Sequence, residues 1–175
     1  LLRPGLSDLV NRLSDAGVDL ALTTNGSLLR RYAQDLSKAG LKRVTISLDA
    51  IDEDVHQQMS DSSVTVAQIL DGIEAAREAG LSPIKVNCVI RRGVNEEQAS
   101  KLVHHFRDTG VIVRFIEFMD VGRTNGWTLG EVIPSRDLLN HLQKEFDLVP
   151  MESERPSDVA VRWSHSDGSG EIGLI

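Results

Sequence analysis

Residues 65–90, TVAQILDGIEAAREAGLSPIKVNCVI, contain the pattern that decides the fold. Apolar residues recur at helical spacing up to Gly80, which predicts a helix near 65–79 that ends at a left-handed glycine. The run rich in valine and isoleucine that follows predicts a strand near 83–90. A helix that leads directly into a strand is typical of βαβ units, in which strands pair in parallel.

The same order of elements occurs along most of the chain. Further helices are predicted near 6–16, 27–39 and 95–109, ending at Gly17, Gly40 and Gly110, and further strands near 18–23, 43–49 and 111–118. Helices between all four strands favour parallel pairing through right-handed crossovers, and therefore either a doubly wound sheet or a barrel. An antiparallel sheet with one wet face is the alternative.

The remaining signals concern helix starts and the last quarter of the chain. Capping-box spacing supports two starts, Thr65 with Gln68 and Asn95 with Gln98. A last helix carries Leu138, Leu139, Leu142 and Phe146, with Ser135 as its predicted cap, and residues 159–163 and 171–175 flank Asp167-Gly168-Ser169-Gly170 like a hairpin. We therefore predict an incomplete barrel core over 1–150 and the start of a C-terminal extension over 151–175, with a linker-like stretch at 151–158.

Composition restricts the class of protein. The chain has 175 residues, of which 41% are hydrophobic, enough for one substantial core. A net charge of -7 argues against a nucleic-acid surface, and no apolar run is long enough for a membrane span. We predict a soluble, cytoplasmic protein. Its one cysteine, Cys88, excludes an internal disulfide and a multi-cysteine metal site within this chain.

Polar residues recur at alternate positions of strands that are expected to be buried on both faces. They are Thr23 and Asn25, then Thr45, Ser47 and Asp49, then Lys85 and Asn87, and finally Glu117 with Met119. Parallel strands are normally covered on both faces, so a charged Lys85 there requires a partner or a ligand. We predict that this face lines a polar cavity near the carboxyl ends of the strands, where α/β enzymes place their active sites.

Several of these residues have more than one interpretation. Lys85 could be a phosphate ligand, a Schiff-base nucleophile or a structural charge paired with Glu117. Arg114 and Glu117 are three residues apart, so they point to opposite faces of a regular strand. Arg114 could therefore face either the cavity or the outside of the sheet. Met119 could be a core residue, and Cys88 is predicted to be a small buried side chain. The five histidines show no metal-binding spacing and are predicted to be solvated.

Four segments in order resemble one family closely. They are LTTNGSLL at 22–29, RVTISLDAID at 43–52, KVNCVIRRGVN at 85–95 and RFIEFMDVG at 114–122. All four are similar to the MoaA family, the radical S-adenosylmethionine GTP 3',8-cyclases of molybdenum-cofactor biosynthesis. The likeness continues through Asn125-Gly126-Trp127 and residues 159–163 to Glu171-Ile172-Gly173, so it covers essentially the whole chain.

The resemblance implies an α/β fold, a partial (βα)6 TIM-like barrel of the radical SAM type with a C-terminal hairpin extension. Family members bind a 4Fe-4S cluster through CxxxCxxC and cleave S-adenosylmethionine to a 5'-deoxyadenosyl radical. They convert GTP to (8S)-3',8-cyclo-7,8-dihydroguanosine 5'-triphosphate. A second 4Fe-4S cluster, held by three C-terminal cysteines, binds the guanine. The family tends toward homodimers, and its product passes to a MoaC-type pterin synthase.

Five residues match family contacts. Thr23 and Lys85 match contacts to GTP, and Arg114 matches a phosphate-side contact. Ser47 and Met119 match contacts to S-adenosylmethionine. No catalytic residue and no metal ligand is assigned within this chain.

The likeness also predicts that both cysteine sets lie outside the sequence. Leu1-Leu2-Arg3-Pro4 corresponds to the residues that directly follow the family's GGEP segment, and Ile175 lies just before its second cysteine set. We therefore expect an internal fragment that is inactive by itself, from an active parent enzyme. Two alternatives remain: a barrel aldolase that uses Lys85 as a Schiff base, and a nucleotide-binding module without catalysis.

Overall fold

A computed structural model of the chain describes residues 1–60, 62–122, 127–153 and 159–175. The helices are α1 Leu6–Asp15, α2 Leu29–Lys38, α3 Glu53–Met59, α4 Val66–Glu78, α5 Gln98–Phe106 and α6 Ser135–Leu142, with a short 3-10 helix at Leu129–Glu131. The strands are β1 Ala21–Thr24, β2 Arg43–Ser47, β3 Ile84–Ile90, β4 Ile112–Glu117, β5 Leu148–Pro150, β6 Val161–His165 and β7 Glu171–Leu174. Asn125 and Gly126 of the family resemblance, and residues 154–158 of the linker-like stretch, lie outside the described residues.

All seven strands belong to one sheet, in the order β1-β2-β3-β4-β7-β6-β5. Strands β1 to β4 pair in parallel, which confirms the prediction and excludes the antiparallel alternative for these strands. The predicted hairpin of β6 and β7 is also confirmed, and β7 pairs in parallel with β4. The described fold is therefore a mixed α/β structure with an open sheet, as an incomplete barrel requires.

Several elements differ from the prediction. Strand β1 begins at Ala21 rather than at residue 18. The 3-10 helix, strand β5 and helix α3 were not predicted at all. Helix α3 has only seven residues, and only Val55 and Met59 in it are apolar, so it offers no periodic pattern. Its start is fixed by the Asp52 side chain, which accepts a hydrogen bond from the Val55 N–H at 3.1 Å.

The core lies between the sheet and the helices on one side of it. On the inner strands alternate residues are buried, and they are Val44, Ile46, Ile84, Val86, Cys88, Ile90, Val113 and Phe115. Helix α4 adds Ile69, Ile73 and Ala76 to the same cluster. Because side chains alternate across a strand, the residues between these buried ones point to the opposite face, which the helices leave open. None of the described helices is long and apolar enough to cross a membrane.

The predicted helix starts have different outcomes. The capping box of α4 is confirmed, since Thr65 Oγ1 accepts the Gln68 N–H and Gln68 Oε1 accepts the Thr65 N–H. The box predicted for Asn95 and Gln98 is wrong, because α5 begins at Gln98 and both side chains bind other segments. Ser135 is the first residue of α6 rather than its cap.

The turn after β1 packs directly against helix α4. Gly26 adopts a φ of +79°, and a Cβ added to it would lie 3.0 Å from the Ile46 side chain. A Cβ added to Gly72 of α4 would lie under 3.0 Å from the Gly26 carbonyl oxygen. The glycines therefore allow the turn and the helix to approach more closely than any side chain would permit.

We expect Gly72→Ala to lower the free energy of unfolding by about 2 kcal/mol, because overpacking outweighs the better helix propensity of alanine. Urea denaturation measures the change. Gly130→Ala is the control, since a Cβ there meets nothing within 4 Å. An alanine at residue 72 that stabilised the protein would contradict the close approach.

Candidate functional site

The open face of the sheet carries two adjacent rows of side chains. In the first row, strand pairing sets Thr23 beside Thr45, Thr45 beside Lys85, and Lys85 beside Ile112. The second row lies two residues further toward the carboxyl ends of the parallel strands, a distance of about 7 Å. It consists of Ser47, Asn87, Arg114, Gly173 and Arg162.

The structure brings four of the five predicted site residues onto this face. Thr23 and Lys85 lie in the first row, and Ser47 and Arg114 lie in the second. Met119 follows the carboxyl end of β4, and the residue is 54% exposed, so its interpretation as a core residue is wrong. The shared polar face predicted for β1 to β3 is therefore confirmed.

The prediction of which alternate residues of β4 face the open side of the sheet is wrong. Arg114 points to the open face, where its Nε donates to Asn87 Oδ1 at 2.9 Å and its guanidinium donates to Thr45 Oγ1 at 3.4 Å. Glu117 has the opposite parity and accepts the Ser135 N–H at 2.5 Å, at the start of α6. The alternative interpretation, an ion pair of Lys85 with Glu117, is therefore also wrong. The error has a physical origin. The β4 residues that face the open side are Ile112, Arg114 and Ile116, and a set with two isoleucines does not show the polar pattern of the other strands.

The electrostatics of the face are dominated by cations. Partial burial lowers the pKa of Lys85, and the charges of Arg114, Arg43 and Arg162 lower it further, while Glu171 opposes them. Burial also lowers the pKa of Arg114. Several cations held close together with few carboxylates between them are suited to binding a polyanion.

Three charged residues of this region, Arg162, Glu171 and Arg43, were missed as site candidates. Arg162 donates to both carboxylate oxygens of Glu171, at 2.7 and 2.9 Å, and this pair is largely buried. Arg43 lies at the start of β2 and pairs with Asp19 at 2.7 Å. The sequence gives no signal for Arg162, because the pairing of β7 with β4 that brings it to the face is a long-range contact.

The described residues contain no group of three or more histidine, cysteine, aspartate or glutamate side chains that could bind a metal. Cys88 is buried, as predicted, and burial raises the pKa of its thiol. A buried, protonated thiol is a poor ligand for iron, so these residues do not fit a 4Fe-4S cluster.

The histidines were predicted to be solvated, and for two of them this is wrong. His56 and His165 are buried, while His104, His105 and His141 are exposed. His56 lies on the unpredicted helix α3, and His165 ends strand β6, where it packs against Phe146. Both positions depend on tertiary packing that local sequence does not show.

Matches to family models identify the class of protein to which the chain belongs. Residues 1–106 match the family model of the radical SAM superfamily. This is more than half of the chain, and the chain belongs to that superfamily. Residues 111–175 match a second family model, described as Molybdenum Cofactor Synthesis C. The two matches occur in this order along the chain and confirm the resemblance to the MoaA family.

Curated relatives agree with the two family models. A GTP 3',8-cyclase of Xanthomonas axonopodis pv. citri is 46% identical over 177 aligned residues, which cover 100% of this chain and 53% of the relative. One of Acidothermus cellulolyticus is 45% identical, and one of Staphylococcus haemolyticus is 39% identical; the chain covers 49% and 52% of them. The chain thus spans about half the length of the curated relatives it matches.

We expect Lys85→Met to raise the free energy of unfolding at neutral pH. A lysine whose pKa is lowered in the folded state destabilises that state while it is charged. This loss of stability is fully present below the pKa of Lys85 in the folded state, and it disappears as the pH rises toward the ordinary lysine pKa. The stabilisation gained from methionine should therefore shrink as the pH rises above the folded-state pKa. Thermal unfolding across pH measures the effect.

Lys101→Met is the control, because Lys101 is exposed on α5. It should change stability little at any pH. Equal effects of the two substitutions would show that the charged surroundings of Lys85 do not matter.

Proposed function

We propose that this chain forms part of a GTP 3',8-cyclase, a lyase that converts GTP to (8S)-3',8-cyclo-7,8-dihydroguanosine 5'-triphosphate. The observation that carries the proposal is the cation-rich open face, where Lys85 and Arg114 occupy neighbouring rows. The names of the relatives support the same activity. Because the chain covers only about half of those relatives, the activity is assigned to the whole protein.

Within this site Lys85 and Thr23 would bind GTP, with Arg114 on the phosphate side. Lysine offers the triphosphate a compact charge, and arginine offers a planar set of donors that matches two phosphate oxygens at once. Arg114 is already oriented by Asn87 and Thr45, so part of the cost of ordering its side chain has been met before the ligand arrives.

Ser47 and Met119 would bind S-adenosylmethionine toward the carboxyl ends of β2 and β4. The cofactor, when reduced by its cluster, supplies the radical chemistry. The chain's own residues bind and orient the two molecules and keep water from the reacting atoms. Thr23 and Lys85 of the GTP region lie in the first row, and Ser47 lies in the second, about 7 Å further along the strands, which supports two neighbouring binding regions. Arg114, in the second row, would lie where the two regions meet.

The remaining predictions belong to the same proposal. They are a cytoplasmic location, a homodimer, transfer of the product to a MoaC-type pterin synthase, and a division at residue 150 into a barrel core and a C-terminal extension. The shared sheet of β4 and β7 implies that this extension would be joined to the core through backbone hydrogen bonds.

The test uses the whole protein, loaded with iron and sulfide under anaerobic conditions. We expect the unaltered protein to consume GTP and to form 5'-deoxyadenosine and the cyclised nucleotide. Lys85→Gln should weaken GTP binding by about tenfold or more, because a partly buried, charge-assisted contact is lost, and Lys101→Gln should not. Equilibrium binding and product chromatography measure both effects.

Other outcomes would support the alternative functions. Trapping of a carbonyl substrate on Lys85 by borohydride would indicate a Schiff-base aldolase. GTP binding by the loaded whole protein without any turnover would indicate a nucleotide-binding module. Either result would reject the cyclase.

A further inference from the structure

A buried asparagine joins the loops that follow β2 and β3. Asn95 is 1% exposed. Its Nδ2 donates to the carbonyl oxygens of Asp49 and Val89, both at 2.8 Å, and its Oδ1 accepts the Arg91 N–H at 2.8 Å. The protein itself therefore uses both N–H groups and the oxygen of this side chain.

These bonds continue the sheet beyond the end of its backbone ladder. The last backbone bond between β2 and β3 runs from the Leu48 N–H to the Asn87 carbonyl oxygen at 2.9 Å. Val89 is the next residue of β3 whose backbone points toward β2. Asp49 Oδ1 accepts its N–H at 2.8 Å, and Asn95 donates to its carbonyl oxygen. The side chains of Asp49 and Asn95 thus take the place of the β2 backbone as hydrogen-bond partners for one further residue of β3.

A second buried amide holds the next part of the same loop. Gln98 is 3% exposed, and its Oε1 accepts the N–H groups of Ile51 and Asp52 at 3.2 and 3.1 Å. Since Gln98 is the first residue of α5, it connects the loop after β2 to that helix. We call Asp49, Asn95 and Gln98 the strand-end clamp.

We propose that the strand-end clamp positions Ser47 for S-adenosylmethionine. Ser47 is the last residue of β2 and lies two residues before Asp49, so movement of the released strand end would reach it directly. The inference rests on the proposed function. Asn95 is a positioning residue rather than a ligand, because it is buried and its side chain is hydrogen-bonded to other residues of the chain.

The first row of the face should be affected much less. Of the residues proposed to bind GTP, Thr23 and Lys85 lie inside the continuous backbone ladder, two residues further from the clamp than Ser47 and Asn87. Arg114 lies in the second row, but it donates to Thr45 of the first row as well as to Asn87. Loosening the strand ends should therefore weaken cofactor binding more than GTP binding. Unfolding of a fraction of the molecules would instead reduce the apparent affinity for both ligands together.

The test compares Asn95→Asp with Gln98→Glu in the whole, cluster-loaded protein. Asn95→Asp replaces the Nδ2 donor by an oxygen that faces two carbonyl oxygens. Gln98→Glu makes the same chemical change but keeps the oxygen that accepts two N–H groups. We expect Asn95→Asp to raise the Kd for S-adenosylmethionine about tenfold, and GTP affinity to change by less than about threefold. Gln98→Glu should change both by less than about threefold.

Two further readouts separate positioning from stability. Amide hydrogen exchange should increase at residues 48–52 and 88–91 in Asn95→Asp. Thr65→Ala removes the cap of α4 and lowers stability without touching the strand-end clamp, so it should leave both affinities unchanged. If Asn95→Asp does not fold, Gln98→Met takes its place, because it removes both accepted bonds, and it should weaken S-adenosylmethionine binding selectively.

The outcomes are distinct. Parallel loss of both affinities, or cofactor binding equal to that of the unaltered protein, would overturn the positioning role alone. Failure of the unaltered, cluster-loaded protein to bind S-adenosylmethionine would overturn the proposed function and this inference with it.

Discussion

Backbone hydrogen bonds between β2 and β3 set Val44 beside Ile84 and Ser47 beside Asn87, and both faces of the sheet depend on that register. A one-residue shift of β3 against β2 would turn Lys85 into the core and expose Val86. Burial of the apolar set under the helices therefore fixes which polar side chains meet on the open face. The energy that forms the core also places the site.

The open face combines binding capacity with a cost in stability. Lys85, Arg114, Arg43 and Arg162 gather there, and burial or their mutual repulsion lowers the pKa of Lys85 and of Arg114. Glu171 offsets part of this charge through its pair with Arg162. Repulsion between clustered cations destabilises the site when no anion is bound, so binding of an anion releases more free energy there. Such destabilised sites are common among active sites.

The carboxyl ends of the strands show how loops are fixed where the ladder stops. Asp49, Asn95 and Gln98 bind backbone groups that would otherwise be buried without partners. Glu117 does the same for the first residue of α6. Polar side chains near a site thus have two separate tasks, holding the backbone and facing a ligand, and residue type alone does not distinguish them.

The sequence by itself determined the α/β class, the parallel order of β1 to β4, the hairpin of β6 and β7, and the positions of Thr23, Ser47 and Lys85 on one face. These follow from local periodicity and from glycines that end helices, and such signals need no long-range information. The sequence also predicted the family resemblance that the comparisons confirmed. Tertiary structure alone decided the direction of Arg114, the role of Glu117, the placement of Arg162 and the partners of Asn95 and Gln98. Each of these depends on which strand or loop lies beside it, and that is set by packing between residues far apart in the chain.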